Sequence, residues 1–272
     1  MVYANNYSDA ESYDLASVTK ISSSGIYNLN TNNTIKRFSC PTNSAKVAVL
    51  ARDNIYVFDN KYFQNKVLIP YNSGTSVDDY FCMTNNGLIA VGRTNVLDII
   101  SISEKKVVAS LPITDYPDRS AWACISMSKD GNYLCVATGF GIKIYSYSAG
   151  TINLIYADSR KYRSAMFDPN HPNRLLLTFL YNNFLEIRNV PDFSITNIIT
   201  LPQAEKVIRN FDPETGNLML TDYLYLYVLN MNTGKIIFKI PITDNEINPM
   251  LYGNTIFSNI GYVLNIRNYL TN

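Results

Sequence analysis

The chain has 272 residues, of which 47% are hydrophobic and 17% charged, and its formal net charge is +1. That apolar content excludes a disordered chain, and the balanced charge excludes a broadly basic nucleic-acid binder, whose phosphate contacts need concentrated Lys and Arg. Asn (33) and Tyr (21) take the place of the missing charges, against one His and one Trp.

No window reaches the run of about 18 apolar residues that a membrane-spanning helix needs. The first ten residues lack the basic and apolar regions of a signal peptide. Low charge with abundant Asn, Tyr, Ser and Thr suits an exported bacterial protein, periplasmic or on the cell surface, with its leader removed. A cytoplasmic protein is the alternative. Cys40, Cys82, Cys124 and Cys135 form no CxxC pair, and one His leaves no zinc set of the usual spacing. They read as small buried hydrophobes, with Cys124 and Cys135 the one pair to check for neighbouring strands.

In chain order the predicted elements repeat. Residues 16–30 (ASVTKISSSGIYNLN) align with one gap to residues 45–59 (AKVAVLARDNIYVFD). The unit returns at 88–101 (LIAVGRTNVLDIIS) and at 133–145 (YLCVATGFGIKIY), with later copies near Leu175, Leu218 and Thr255. An apolar run ending in proline recurs at Pro70, Pro112, Pro202 and Pro241, in steps of 42, 90 and 39 residues, and 90 is two periods. The copy between ends at Ile155-Tyr156 without proline. A turn rich in Gly, Asn or Pro precedes the first long strand of a copy, as at Asn85–Gly87, Lys129–Gly131, Asp168–Pro172 and Asp212–Gly216.

Each period holds four short runs rich in Val, Ile, Tyr, Phe and Leu; in the third copy they lie near Tyr80–Thr84, Leu88–Gly92, Leu97–Ser101 and Lys106–Leu111. Runs of this length and composition predict strands, and the Gly, Asn and Asp between them suit tight hairpin turns. No segment sustains a 3.6-residue period, so no helix is predicted. Four antiparallel strands every 40–45 residues describe a β-propeller blade. The expected fold is all-β: one domain, 1–272, as a seven-bladed β-propeller, with six blades as the alternative. The blades fall at 5–37, 38–79, 80–121, 122–162, 163–206, 207–247 and 248–272. The last has three strands of its own, and residues near Val2–Ala4 are expected to supply its missing outer strand.

The segment Leu88–Thr114 (LIAVGRTNVLDIISISEKKVVASLPIT) resembles the YVTN-type β-propeller repeat, and Leu218–Thr243, with Asn232-Thr-Gly-Lys235 at its third turn, is a second match. The resemblance implies seven blades, an exported or cell-surface setting and a binding role, without naming a ligand. The WD40 pattern fits less well, because its Gly-His and Trp-Asp signatures are absent.

Candidate chemistry is sparse. Nucleophilic triads need a base beside the nucleophile, and the only histidine, His171, lies in a turn between prolines. Asp115, Glu205 and Asp244 each fall three residues past a marker proline, and Asp78, Asp79, Asp118 and Asp158 occupy the same connection in other copies. Such carboxylates would ring one end of the fold, where a pair could serve glycoside hydrolysis or simply cap turns. Arg160-Lys-Tyr-Arg163 is basic with an aromatic residue but reads as a solvated loop. Gly139-Phe-Gly141 sits between two strands and reads as a hairpin turn, not a dinucleotide fingerprint.

Aromatic residues recur in the same connection: Tyr71, Tyr80, Tyr116, Trp122 and Tyr162. With Arg119, Arg160, Arg163, Asp79 and Asp118 they form an expected binding face, with Glu205 and Asp244 on its acidic side. The reading is a monomeric, non-catalytic binding or interaction scaffold for a protein or carbohydrate ligand, with no cofactor, metal, nucleic acid or transmembrane segment. The rivals are a polysaccharide hydrolase or lyase using paired carboxylates, and a structural surface-layer or adhesin repeat.

Overall fold

The computed structural model describes residues 2–6, 9–14, 19–23, 35–39, 46–59, 64–72, 80–93, 96–113, 124–138, 140–212, 214–242, 250–252, 255–257 and 263–267. Among them lie 26 strands and no α-helix. The strands form seven antiparallel sheets, each a meander in which consecutive strands pair.

The first sheet is β1 (Val2–Asn6), β2 (Asp9–Asp14) and β3 (Thr19–Ser23). The second is β4 (Ile35–Ser39), β5 (Val47–Ala51), β6 (Asn54–Phe58) and β7 (Val67–Pro70). The third is β8 (Tyr80–Met83), β9 (Leu88–Arg93), β10 (Val96–Ser101) and β11 (Lys106–Pro112). The fourth is β12 (Cys124–Met127), β13 (Tyr133–Thr138), β14 (Gly141–Ser148) and β15 (Thr151–Asp158). The fifth is β16 (Tyr162–Phe167), β17 (Arg174–Phe179), β18 (Phe184–Asn189) and β19 (Ile195–Thr200). The sixth is β20 (Val207–Asp212), β21 (Asn217–Thr221), β22 (Tyr225–Asn230) and β23 (Lys235–Pro241). The seventh is β24 (Met250–Tyr252), β25 (Thr255–Phe257) and β26 (Val263–Asn265).

The four strands expected of the third copy are β8 to β11 almost residue for residue. Pro70, Pro112 and Pro241 end β7, β11 and β23, the last strand of their sheets. Proline is tolerated there because an edge strand has no ladder bond to lose on its outer side. The Asn85–Gly87 turn closes as expected, with Gly87 at φ 85°.

Two compact units divide the chain: Met1–Val136 with Lys143–Ala157, and Ala137–Ile142 with Asp158–Asn272. In the first unit β1 packs beside β4, β4 beside β8, and β8 beside β12. In the second β16 packs beside β20, and β20 beside β24. Within each unit the opening strands of successive sheets are thus neighbours, and the core lies between sheets. From β9, Ile89 and Val91 join Ala48, Leu50, Ile55 and Val57 of the second sheet, while Ala90 turns the other way to Leu134 and Val136. From β21, Leu218 and Leu220 meet Leu176 and Leu185, while Met219 meets Leu251 and Ile256. Side chains alternate between the two faces of a strand, so a sheet packed on both faces needs the unbroken apolar middle strands seen in the sequence.

The expected role of the N-terminus is corrected. Val2–Asn6 pairs with β2, Val2 opposite Tyr13, and lies beside β4 in the series of opening strands. It opens the first sheet and is not the outer strand of the last. The expected boundaries at 37/38 and 162/163 also shift, because Ile35 opens β4 and Tyr162 opens β16.

Candidate functional site

In a four-stranded meander, the turn between the second and third strands and the connection leaving the fourth lie at the same end. Backbone bonds tie the two in the second unit. The Leu201 N–H donates to the Asn183 carbonyl at 2.6 Å, and the Ile242 N–H donates to that of Leu224 at 2.8 Å. The Leu180 N–H reaches the Lys161 carbonyl at 3.0 Å.

This rim carries large apolar side chains in water. Tyr181 in the β17–β18 turn, Tyr223 and Leu224 in the β21–β22 turn, and Phe140 between β13 and β14 are each more than half exposed. Cations stand beside them. The Lys161 Nζ lies 5.5 Å from the Tyr181 ring centroid. The Arg163 guanidinium lies 5.6 Å from the Tyr223 centroid, with Nη2 3.4 Å from its hydroxyl. Arg209 on β20 donates from Nε to Thr221 Oγ1 at 2.7 Å. Burial of its guanidinium, then the like charge of Arg163, draws its pKa below the ordinary value.

Beneath the rim the carboxylates are bound. Arg160 joins Asp158 through Nε at 2.7 Å and Glu186 through Nη1 at 2.9 Å. Arg188 donates to the other Glu186 oxygen at 2.6 Å. Tyr162 donates its hydroxyl to Asp158 at 3.0 Å, and the Arg160 guanidinium sits 5.6 Å over its ring. Burial raises the Asp158 carboxyl, but the Arg160 N–H, its guanidinium and the Tyr162 hydroxyl outweigh it and hold the pKa low. Burial and Asp158 push the Tyr162 phenol far up despite the opposing charge of Arg160.

The same arrangement recurs. Asp222 accepts from Lys206 Nζ at 2.6 Å and from the Tyr227 hydroxyl at 2.9 Å, with Lys206 Nζ 4.6 Å from the Tyr227 ring centroid. In the first unit Asp98 accepts from Arg93 at 2.7 Å, the Tyr71 hydroxyl at 2.7 Å and Ser110 at 2.6 Å, with Arg93 5.2 Å over the Tyr71 ring. In each set the cation stands over the ring of the tyrosine whose hydroxyl binds the same carboxylate. The carboxylates are thus satisfied by the cation and the tyrosine, as burial requires, while Arg93 Nε makes no hydrogen bond.

The expected face is only partly what the structure presents. Tyr162 is fully buried and Arg163 nearly so, so neither belongs to a solvated loop; Tyr162 supports the rim from below. Tyr71 is likewise buried on Asp98. Arg160 is half-buried in its ion pairs, Tyr80 half-buried on β8 opposite Gly92, and Glu205 half-buried with φ 60°. Asp79, Tyr116, Asp118, Arg119, Trp122 and Asp244 lie outside the described residues. Arg160 links Asp158 to Glu186, a buried carboxylate of β18 that was not among the expected connection residues. His171 bonds Asp168 and Arg174 in its turn. Cys82, Cys124 and Cys135 are not joined in disulfides, and burial pushes Cys82 up to about 12. Among the described residues no group of His, Cys, Asp and Glu is placed to hold a metal. None of their helices is long and apolar enough to cross a membrane.

No family model and no curated protein matches the sequence. Among solved structures, the chain is similar to one in the crystal structure of the mitotic checkpoint complex, with a TM-score of 0.69 at 10% identity, over 94% of this chain and 82% of that one. The fold is an all-β β-propeller. The sequence carries none of the Gly-His and Trp-Asp pairs of the WD40 repeat.

Proposed function

We propose that the protein is a non-catalytic binding module whose rim in the second unit takes an acidic protein segment carrying apolar side chains. The observation that carries this is the group of exposed Tyr181, Tyr223 and Leu224 with Lys161 and Arg163 beside the two rings and Arg209 bonded to Thr221 at the edge of the β21–β22 turn. Exposed aromatic residues beside arginine make binding hot spots, with much contact area and little entropy to lose. The carboxylates below are neutralised by Arg160, Arg188 and Lys206, so the net field of the rim favours an anionic partner. Similarity to a chain from an assembled complex supports an interaction role. The charge-poor, Asn- and Tyr-rich composition supports the YVTN-type, exported or cell-surface reading.

Selection from a displayed random-peptide library tests the rim. Enriched peptides are expected to pair Asp or Glu with aromatic or aliphatic residues. Their binding is expected to weaken with salt and to be lost in Tyr181→Ala and Tyr223→Ala. Enrichment of neutral or basic peptides, or undiminished binding by both variants, sinks the proposal. Fractionation of the native cells tests the compartment.

A further inference from the structure

We infer that β15 is an edge through which two copies of this chain pair, antiparallel, about a two-fold axis at Leu154. β15 closes the order β12-β13-β14-β15, and no described strand lies beyond it. An open strand edge templates pairing with another chain unless lysine, proline or a bulge blunts it. Three other outer strands are blunted. β7, β11 and β23 end in proline; β11 carries Lys106, and β23 carries Lys235 and Lys239. β15 is eight residues long, TINLIYAD, with no Lys, Arg or Pro, and its one charge is its last residue. It is also the repeat where the marker proline is missing. Leu154 is 54% and Ile155 37% exposed on it.

The partner is fixed by symmetry. A two-fold axis normal to a continuous sheet keeps each side chain on its own face, so only residues of equal parity can lie opposite one another. Centred on Leu154, the register sets Leu154 against itself, Ile152 against Tyr156, Asn153 against Ile155 and Thr151 against Ala157. No charge meets its like, and the contact is self-complementary and closed. The same operation on β23 centred on Ile237 puts Lys235 opposite Lys239. β19 is also uncharged and exposes Ile195 and Ile198, but it has six residues, a register shift against β18 and Pro202 just beyond its end.

Sedimentation equilibrium of the full chain over a concentration series tests this. The mass is expected to rise toward twice the 30.7 kDa of one chain, and amide exchange at residues 151–158 is expected to slow as it does. Leu154→Lys, which sets two ammonium groups face to face, is expected to hold the mass at one chain, while Val107→Lys on β11 leaves pairing intact. If Leu154→Lys fails to fold, Ile155→Lys on the opposite face is read the same way. A wild-type chain at single mass throughout overturns the inference. So does a dimer that survives these lysines, or one broken by Ile198→Lys on β19 instead.

Discussion

Asn210 on β20 holds Leu251 on β24 by two hydrogen bonds: its side-chain carbonyl accepts the Leu251 N–H at 2.9 Å, and its amide donates to the Leu251 carbonyl at 2.7 Å. A side chain thus imitates one rung of a β-ladder between adjacent sheets. The register of β20 on β21 shifts between Ile208 and Asn210, and such a bulge re-aims a side chain away from its own sheet. Ser164, next to the register shift of β16, does the same work with one bond, accepting the Ile208 N–H at 2.8 Å. In the first unit Ser39 accepts the Met83 N–H at 3.0 Å.

Asn210→Ala is therefore expected to lower stability by about 1–3 kcal/mol, the cost of leaving buried backbone groups without partners. Asn210→Asp keeps the acceptor and loses the donor, so it is expected to fall between. Urea unfolding at neutral pH, comparing midpoints at constant slope, checks both. A midpoint unchanged in Asn210→Ala means the clasp contributes nothing.

Glu186 and Arg188 are buried together, and Arg188 also donates to the Phe193 carbonyl at 2.6 Å. Removing one partner of such a pair strands the other charge, so Glu186→Ala is expected to cost about 3–5 kcal/mol. Replacing both by Leu is expected to recover most of that loss, since the buried ions then leave together. The double-mutant cycle in denaturant measures the coupling. A purely additive result would show that the two side chains do not act as a pair.

Much of the architecture was legible because it is written locally. Val- and Ile-rich runs, Gly and Asn turns and the closing prolines specify β8 to β11 without any distant contact. What was misread depends on pairing at a distance. Whether Val2–Asn6 opens one sheet or completes another is decided by its partner, and β2 offers the nearer edge. The basic segment at Arg160–Arg163 was visible, but its burial was not, because Arg160 finds Glu186 26 residues away. Tyr181 and Tyr223 lie outside the face expected from the sequence. The available signal was their place in the turns between second and third strands, beside Asn182 and Asp222, where no sheet covers them.

Acid should loosen the second unit. Burial raises the Asp222 carboxyl, but Lys206, the N–H groups of Leu224 and Tyr225 and the Tyr227 hydroxyl together hold its pKa below the ordinary value. A depressed carboxyl contributes stability that is present above the unfolded value of about 4 and is lost as pH falls through the folded one. Asp158 has the same sign. The urea midpoint is expected to drop from about pH 6 to about pH 3, and Asp222→Asn is expected to be less stable at the higher pH with a shallower drop. An equal pH slope in wild type and Asp222→Asn means that Asp222 is not linked to folding.

Gly141 is expected to tolerate no side chain. It opens β14 at φ 151°, and a Cβ there would stand 2.2 Å from the backbone carbonyl oxygen of Asp158. That oxygen belongs to the strand end that carries the Arg160 and Tyr162 bonds, so it cannot retreat without disturbing them. Gly216, at φ 70°, supplies the comparison, because its nearest atom to a new Cβ is a side-chain nitrogen at 3.9 Å. Gly216→Ala is expected to cost only the conformational penalty of about 1–2 kcal/mol. Gly141→Ala adds a backbone collision to a similar penalty and is expected to cost clearly more, with the loss read as a lower thermal midpoint and a weaker Asp158–Arg160 pair. Equal destabilisation by the two alanines would show that the β14 start can shift away from Asp158, and the rim would then rest on a looser support than this geometry provides.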